Sequence, residues 1–239
     1  MSSELITIEG RWAVEAALQS PFFCVHKVMF EEGRHGGLKD AAVSADVLYE
    51  EISREAMADE AGFDFHRGVL AYAARPEAPG FEPGEAGPKR LVVPASLADA
   101  GNLGTVIRTA VAFGADGVLL EAGKGADVYS RKAIRASATA VFRLPIYEVD
   151  DLAVALGSFR EAGGVVLGTS LNEKAAALPS VKAGERTAVL LGAEKDGLSA
   201  ELESACDELV YLPMASGMDS LNVAATASIV LYELFGRGD

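Results

Sequence analysis

Residues 90–122, RLVVPASLADAGNLGTVIRTAVAFGADGVLLEA, decide how the larger part of this chain is built. Two apolar strands, RLVVPA and GVLLEA, flank a stretch near 102–113 whose apolar residues recur at helical spacing. Asn102 reads as the cap of that helix, Gly104 as a point of close approach for a backbone or a ligand, and Gly114 as its left-handed terminus. The alternation then continues. A helix near 129–140, LPIYEV, a helix near 150–162, GVVLGTS, TAVLLGA, a helix near 199–206, ELVYLPM and a final helix follow in turn. Strands of this kind, some apolar throughout, indicate a mostly parallel sheet with helices on both faces.

The 239 residues are more than one ordinary domain needs. Residues 75–90, RPEAPGFEPGEAGPKR, gather Pro76, Pro79, Pro83 and Pro88 without hydrophobic periodicity and read as a semi-rigid linker. The expected division is a small α/β domain at 1–74, the linker at 75–90 and the alternating domain at 91–239. In the first domain CVHKVMF, DVLYEE and GVLAYA suggest strands, and GRWAVEAAL and SREAMADEAG suggest helices. Its histidines, His26, His35 and His66, lie far apart without metal-ligand spacing, so no metal site is expected. Trp12 reads as a packing residue, and Cys24 and Cys206 as buried structural thiols. No apolar run spans a membrane, the amino terminus lacks a signal-peptide core, and the expected location is the cytoplasm.

A formal net charge of −14, shared by both halves, argues against non-specific attraction to nucleic acid. Yet residues 124–143 hold Lys124, Arg131, Lys132, Arg135 and Arg143 against Asp127 alone. Such an island is either a solvated helix face or a contact for phosphates.

Polar and glycine-rich residues collect at three strand ends, where open α/β sheets hold ligands. At the first, Asn102, Thr105 and Arg108 recur every three residues and share one helix face, although the helix itself does not require Arg108. The second, LLGAEKDGLSAELESA, has Gly192 and Gly197 in a turn, Ser199 as a natural cap, and Glu194 and Lys195 where a solvated turn and a functional one are equally good readings. In the third, VYLPMASGMDSLNVAATASIVLYEL, Ser220 can cap the last helix and Asn222 stands just inside it, with either a ligand or a local backbone bond to explain it. A full dinucleotide fingerprint is absent, which disfavours a dehydrogenase of the open α/β kind.

Taken in order, NLGTVIRTA (102–110), LGAEKDGLS (191–199) and LPMASGMDSLNVA (212–224) resemble the three motifs of the SpoU-type (TrmH-like) RNA ribose 2′-O-methyltransferases of the SPOUT superfamily. YSRKAIRASATAVFRLP resembles the family's segment between the first two motifs. IEGRWAVEAAL and FHRGVLAYA resemble the ribosomal-protein-like substrate-binding domain many members carry. The pattern departs at Ala193, where Asn is frequent, and at Ser216, which displaces the motif-three glycine to Gly217. The resemblance implies an α/β knot, a trefoil-knotted and mostly parallel sheet. It also implies a homodimer through that domain, S-adenosylmethionine in the knot loops, and RNA across the subunit boundary, ribosomal RNA ahead of transfer RNA. Cofactor contacts carry over to Thr169, Gly192, Leu212, Met214 and Leu221, and substrate or catalytic contacts to Asn102, Arg108, Glu194, Ser220 and Asn222. Arg131, Lys132 and Arg135 then become expected RNA contacts. A non-catalytic RNA-binding factor of the same fold is the alternative.

Overall fold

The computed structural model of the chain describes residues 4–62, 67–193, 196–215 and 220–236. Two sheets organise them. The first contains β1 (Leu5–Glu9), β2 (Val25–Glu31), β3 (Leu48–Ile52) and β4 (Val69–Ala74) in the order β1-β4-β2-β3. β4 runs antiparallel to β1 and β2, whereas β3 runs parallel to β2. Helices α1 (Arg11–Gln19), α2 (Gly36–Ser44) and α3 (Arg54–Ala61) join these strands. The Ser53 side chain caps α3 by accepting from the Ala56 amide at 3.2 Å, and Gly62 ends it at φ 75°. Neither β1 nor α2 stands out in the sequence: β1 has five residues, and α2 opens on two glycines without a side-chain cap.

The second sheet has seven strands. They are β5 (Arg90–Pro94), β6 (Gly117–Glu121), β7 (Ile146–Val149), β8 (Val165–Thr169), β9 (Ala176–Ala177), β10 (Thr187–Leu191) and β11 (Glu208–Tyr211), in the order β7-β6-β5-β10-β8-β11-β9. Every adjacent pair is parallel. Helices α4 (Ala100–Ala112), α5 (Arg131–Ala136), α6 (Leu152–Glu161), α7 (Ala200–Ala205) and α8 (Val223–Leu231) cover it.

Alternation along the buried strands divides the core. Val92, Val189 and Leu191 pack with Leu103, Val106 and Val230 of α4 and α8. Leu91, Val93 and Leu190 pack instead with Leu156 and Phe159 of α6 and with Leu198. Successive residues of β5 and β10 therefore serve opposite faces, which is why residues 91–93 and 188–191 are apolar without interruption.

Helix boundaries correct three readings. Asp99, not Asn102, caps α4; its carboxylate accepts from the Asn102 amide at 2.8 Å, which moves Asn102 into the first turn. Asn222, not Ser220, caps α8, accepting from the Ala224 amide at 2.9 Å. The helix expected near 129–140 is only α5, capped by Ser130 and ended by Ala138 and Thr139, both in the left-handed region at φ 47° and 77°. For a β-branched residue that conformation costs on the order of 1–3 kcal/mol, so the surrounding packing has to impose it.

Two side-chain readings also change. Trp12 is 66% exposed and does not pack in the core. Cys24 is exposed, while Cys206 is half-buried and donates its Sγ–H to the Leu202 carbonyl at 3.2 Å. Burial first, then Asp207 and Glu203, raise the Cys206 thiol to about 12.

The two sheets are joined by more than the segment between them. Phe23 lies edge-on to Tyr129 and Phe142 at 5.7 and 4.7 Å, and the Ser20 hydroxyl donates to the Phe142 carbonyl at 2.7 Å. Arg131 pairs with Glu9, and Arg75 with Asp127 at 2.9 Å. The proline-rich segment is itself pinned: Arg186 donates to the Pro83 carbonyl at 2.6 Å, and Phe81 packs against Tyr147.

Candidate functional site

The carboxyl ends of β8, β10 and β11 and the first turns of α8 enclose a cavity of about 280 Å³. Its position follows from the topology, because parallel strands all present their following loops at the same edge. Thr169, Gly192, Leu212, Met214 and Leu221, the five residues the motif resemblance implies for a cofactor, all line it, and Ser220 joins them.

Local bonding explains how those loops hold their shape. Thr169 ends β8, donating to the Leu190 carbonyl at 3.1 Å and accepting from the Gly192 amide at 3.4 Å, so it fastens the following loop to its neighbour strand. Ala193 and Gly197 exchange two backbone hydrogen bonds of 3.0 Å, which hold these two residues side by side. A Cβ on Gly192 would lie 2.6 Å from the Gly197 carbonyl carbon and 2.8 Å from the Leu198 amide. Only glycine fits there, and what it admits is the chain's own backbone. Glu194, Lys195, Ser216 and Gly217 lie outside the described residues.

The same cavity is lined by residues outside the set that the motif resemblance implies for a cofactor. Ser170 and Leu171 follow β8, Val210 and Tyr211 belong to β11, and Val223, Thr226 and Val230 come from α8. Val223 stands in the third motif region, whereas Thr226 and Val230 were legible only as a helical period of three to four that starts from it. Glu203 supports this wall from α7: it accepts from the Ser170 hydroxyl at 2.6 Å and from the Asn172 side-chain amide at 3.4 Å. It also stands in the first turn of α7, where a negative charge suits the helix's positive end.

Asn222 explains its own presence. One side-chain atom, Oδ1, caps α8, while the Nδ2 donates to Asn102 Oδ1 at 3.2 Å. The amino-terminal turns of α4 and α8 are thereby tied together beside the cavity. Arg108 is exposed, about 9 Å further along α4 than Asn102, and has no side-chain partner among the described residues. Thr105, the third member of that stripe, is spent on the helix itself, donating to the Gly101 carbonyl at 2.8 Å.

The basic island divides into two kinds of residue. Arg131 is committed to Glu9 and to the Ala61 carbonyl, and Lys132 to Asp99, whose carboxyl that lysine and the Asn102 amide hold below its ordinary range. Arg135 and Arg143 are exposed and make no side-chain hydrogen bond or ion pair among the described residues. Among those residues no group of His, Cys, Asp and Glu side chains could hold a metal ion, and no helix is long and apolar enough to cross a membrane.

The SpoU rRNA Methylase family matches residues 89–232, and the family described as RNA 2′-O ribose methyltransferase substrate binding matches residues 7–79. An uncharacterized tRNA/rRNA methyltransferase of Mycobacterium tuberculosis is 33% identical over 232 residues, covering 96% of this chain and 80% of the relative. The crystal structure of an AdoMet-bound rRNA methyltransferase from Sinorhizobium meliloti superposes with a TM-score of 0.83 at 26% identity, over 96% of this chain and 86% of that one. A crystal structure described as an RNA 2′-O ribose methyltransferase gives 0.78 at 29% identity, over 97% and 88%. The chain belongs to the SpoU family of RNA methyltransferases.

Proposed function

We propose that this chain transfers a methyl group from S-adenosylmethionine to a ribose 2′-hydroxyl of RNA, with ribosomal RNA the first candidate and transfer RNA the second. The observation that carries the reading is the cavity at the ends of β8, β10 and β11, with the Asn102–Asn222 pair beside it. Its walls suit the cofactor. Val210, Leu212, Val223 and Val230 offer an apolar slot for a flat ring, and the backbone of the 212–215 segment, outside any helix or strand, offers donors and acceptors at its rim. A volume of about 280 Å³ is close to the lower bound of small-molecule sites, roughly 300 Å³. Bound there, S-adenosylmethionine supplies an electrophilic methyl group on a sulfonium.

The chain's own residues then have to hold a weakly acidic hydroxyl in line and stabilise the charge that develops on it. Positioning of that kind contributes roughly 7–11 kcal/mol. Asn102, Ser220 and Asn222 are assigned to the substrate, with Glu194 carried over from the motif alone. Arg108 is assigned to the developing alkoxide: a guanidinium keeps its proton, with a pKa above about 12, so it stabilises electrostatically or becomes a base only with help from an RNA phosphate. Arg131, Lys132 and Arg135 are assigned to RNA, with Arg135 the readiest because the other two already hold carboxylates.

The same reading includes a trefoil knot in the second sheet, a cytoplasmic location and a homodimer. The placement of β10 between β5 and β8 supports the first, and the exposed Ile229 and Tyr232 of the last helix support the third. The decisive experiment supplies methyl-labelled S-adenosylmethionine and total RNA, then identifies the labelled nucleoside by mass spectrometry. Label on a ribose 2′-oxygen is expected; label on a base, or none, refutes the proposal. Arg108→Lys should lose most turnover, and near-full turnover at unchanged RNA affinity would remove both roles given to Arg108.

A further inference from the structure

Between α1 and α5 lies a groove of about 1140 Å³. Trp12, Ala16 and Gln19 form one bank, and Lys132, Arg135 and Arg143 the other. Trp12 is the only tryptophan of the chain, stands 66% exposed, and has the Arg11 guanidinium over its ring at 5.1 Å from the centroid. An indole left in water at the start of a helix forgoes one of the largest apolar burials a side chain offers. Opposite it, Arg135 and Arg143 are exposed without side-chain partners among the described residues. In a chain of net charge −14, the groove brings exposed cationic groups and a flat ring together, and of the two carboxylates that also line it, Glu9 and Glu15, the first is already held by Arg131.

We infer that the groove receives an unpaired stretch of RNA, one base stacking on Trp12 and the neighbouring phosphates resting on Arg135 and Arg143. The inference rests on the RNA methyltransferase reading and adds to it the structural class of the RNA segment that must reach this face. Stacking on a side chain requires a base free of the helical stack, which single strands, loops and bulges present and duplexes do not. Guanidinium groups match phosphate through paired donors. An acidic peptide would satisfy the arginines equally but would leave the indole without a planar partner.

Because Trp12 is the sole tryptophan, its fluorescence reports the contact directly. Single-stranded oligoadenylate is expected to quench the emission to saturation, and the same strand annealed to oligouridylate is not. Trp12→Leu should weaken binding of labelled oligoadenylate roughly 5- to 100-fold, and Trp12→Phe should recover most of that loss. The Arg135→Ala, Arg143→Ala double variant should make the slope of log affinity against log salt shallower by about 1.4. Unaltered affinity in Trp12→Leu, equal quenching by the duplex, or equal quenching by polyglutamate would each overturn the assignment. Calorimetry with S-adenosylmethionine and methyl transfer into total RNA are run on the same preparations. If both succeed while Trp12→Leu binds normally, the groove assignment alone fails; if both fail with the unaltered chain, the methyltransferase reading fails with it.

Discussion

Replacing Gly104 with alanine tests whether a motif glycine faces a ligand or the chain itself. A Cβ at this position would stand 2.3 Å from the Ala133 carbonyl oxygen, 2.8 Å from the Ala136 Cβ and 3.0 Å from the Ser137 amide nitrogen. All three belong to α5 or the residue that follows it, and two of them are backbone, so no rotamer change can give way. Restoring ordinary contact with the carbonyl requires α4 and α5 to part by about 1 Å in a close-packed interior. Overpacking of that kind costs about 3 kcal/mol, while exchanging a mid-helix glycine for alanine returns about 1 kcal/mol. The net loss is about 2 kcal/mol, or roughly 4–8 °C in Tm for a chain of this size. Thermal and urea unfolding of the ligand-free protein measure it. An unchanged Tm together with weakened S-adenosylmethionine binding would refute the reasoning and favour the ligand over the backbone as what Gly104 admits.

Three further outcomes are expected. Asn222→Ala removes both the α8 cap and the bridge to Asn102 and should cost about 1 kcal/mol in urea unfolding, whereas Asn222→Asp keeps a capping oxygen, stays within roughly 0.5 kcal/mol of the parent, and loses methyl transfer; equal stability of all three would show that the cap contributes nothing. Thr139→Gly relieves a β-branched residue at φ 77° and should raise stability by about 0.5–1 kcal/mol after the entropic cost of glycine, so a lower Tm would contradict the strain. With Cys206 raised to about 12 by burial and neighbouring acids, its reactive thiolate stays scarce throughout neutral and mildly alkaline solution, and a thiol reagent at pH 8 should label exposed Cys24 and leave Cys206. Two rapidly labelled thiols would show that Cys206 opens to solvent.

The second sheet was readable because its strands announce themselves. Uninterrupted apolar runs such as TAVLL have only one comfortable setting, a strand covered on both faces, and glycine and polar clusters marked where each run stops. The loops that border the cavity followed from the same strand ends, while the five residues expected to hold a cofactor came with the motif resemblance. Capping was not readable at that resolution. Asp99 and Asn102 carry equivalent capping chemistry three positions apart, as do Ser220 and Asn222 two positions apart, and only the path of the backbone selects between them. The partner of Arg131 was hidden for a different reason. Glu9 lies far away in the chain, and no local period encodes a pairing between separate sheets. Trp12 misled because an aromatic was read as core by its type alone, although Arg11, Glu15 and Gln19 recur every four residues and mark the polar side of α1 next to which it stands.

The joint between the two sheets sets the thermodynamics of encounter. Aromatic edges at Phe23, the Arg131–Glu9 and Arg75–Asp127 pairs and the pinned proline segment leave few soft degrees of freedom between groove and cavity. A polynucleotide that touches both therefore meets a receptor whose two contact areas are already in register. Freezing a hinge takes nothing from the binding free energy, and the second contact forms at the high effective concentration of a preorganised pair. Mobility, where the complex needs it, falls to the nucleic acid.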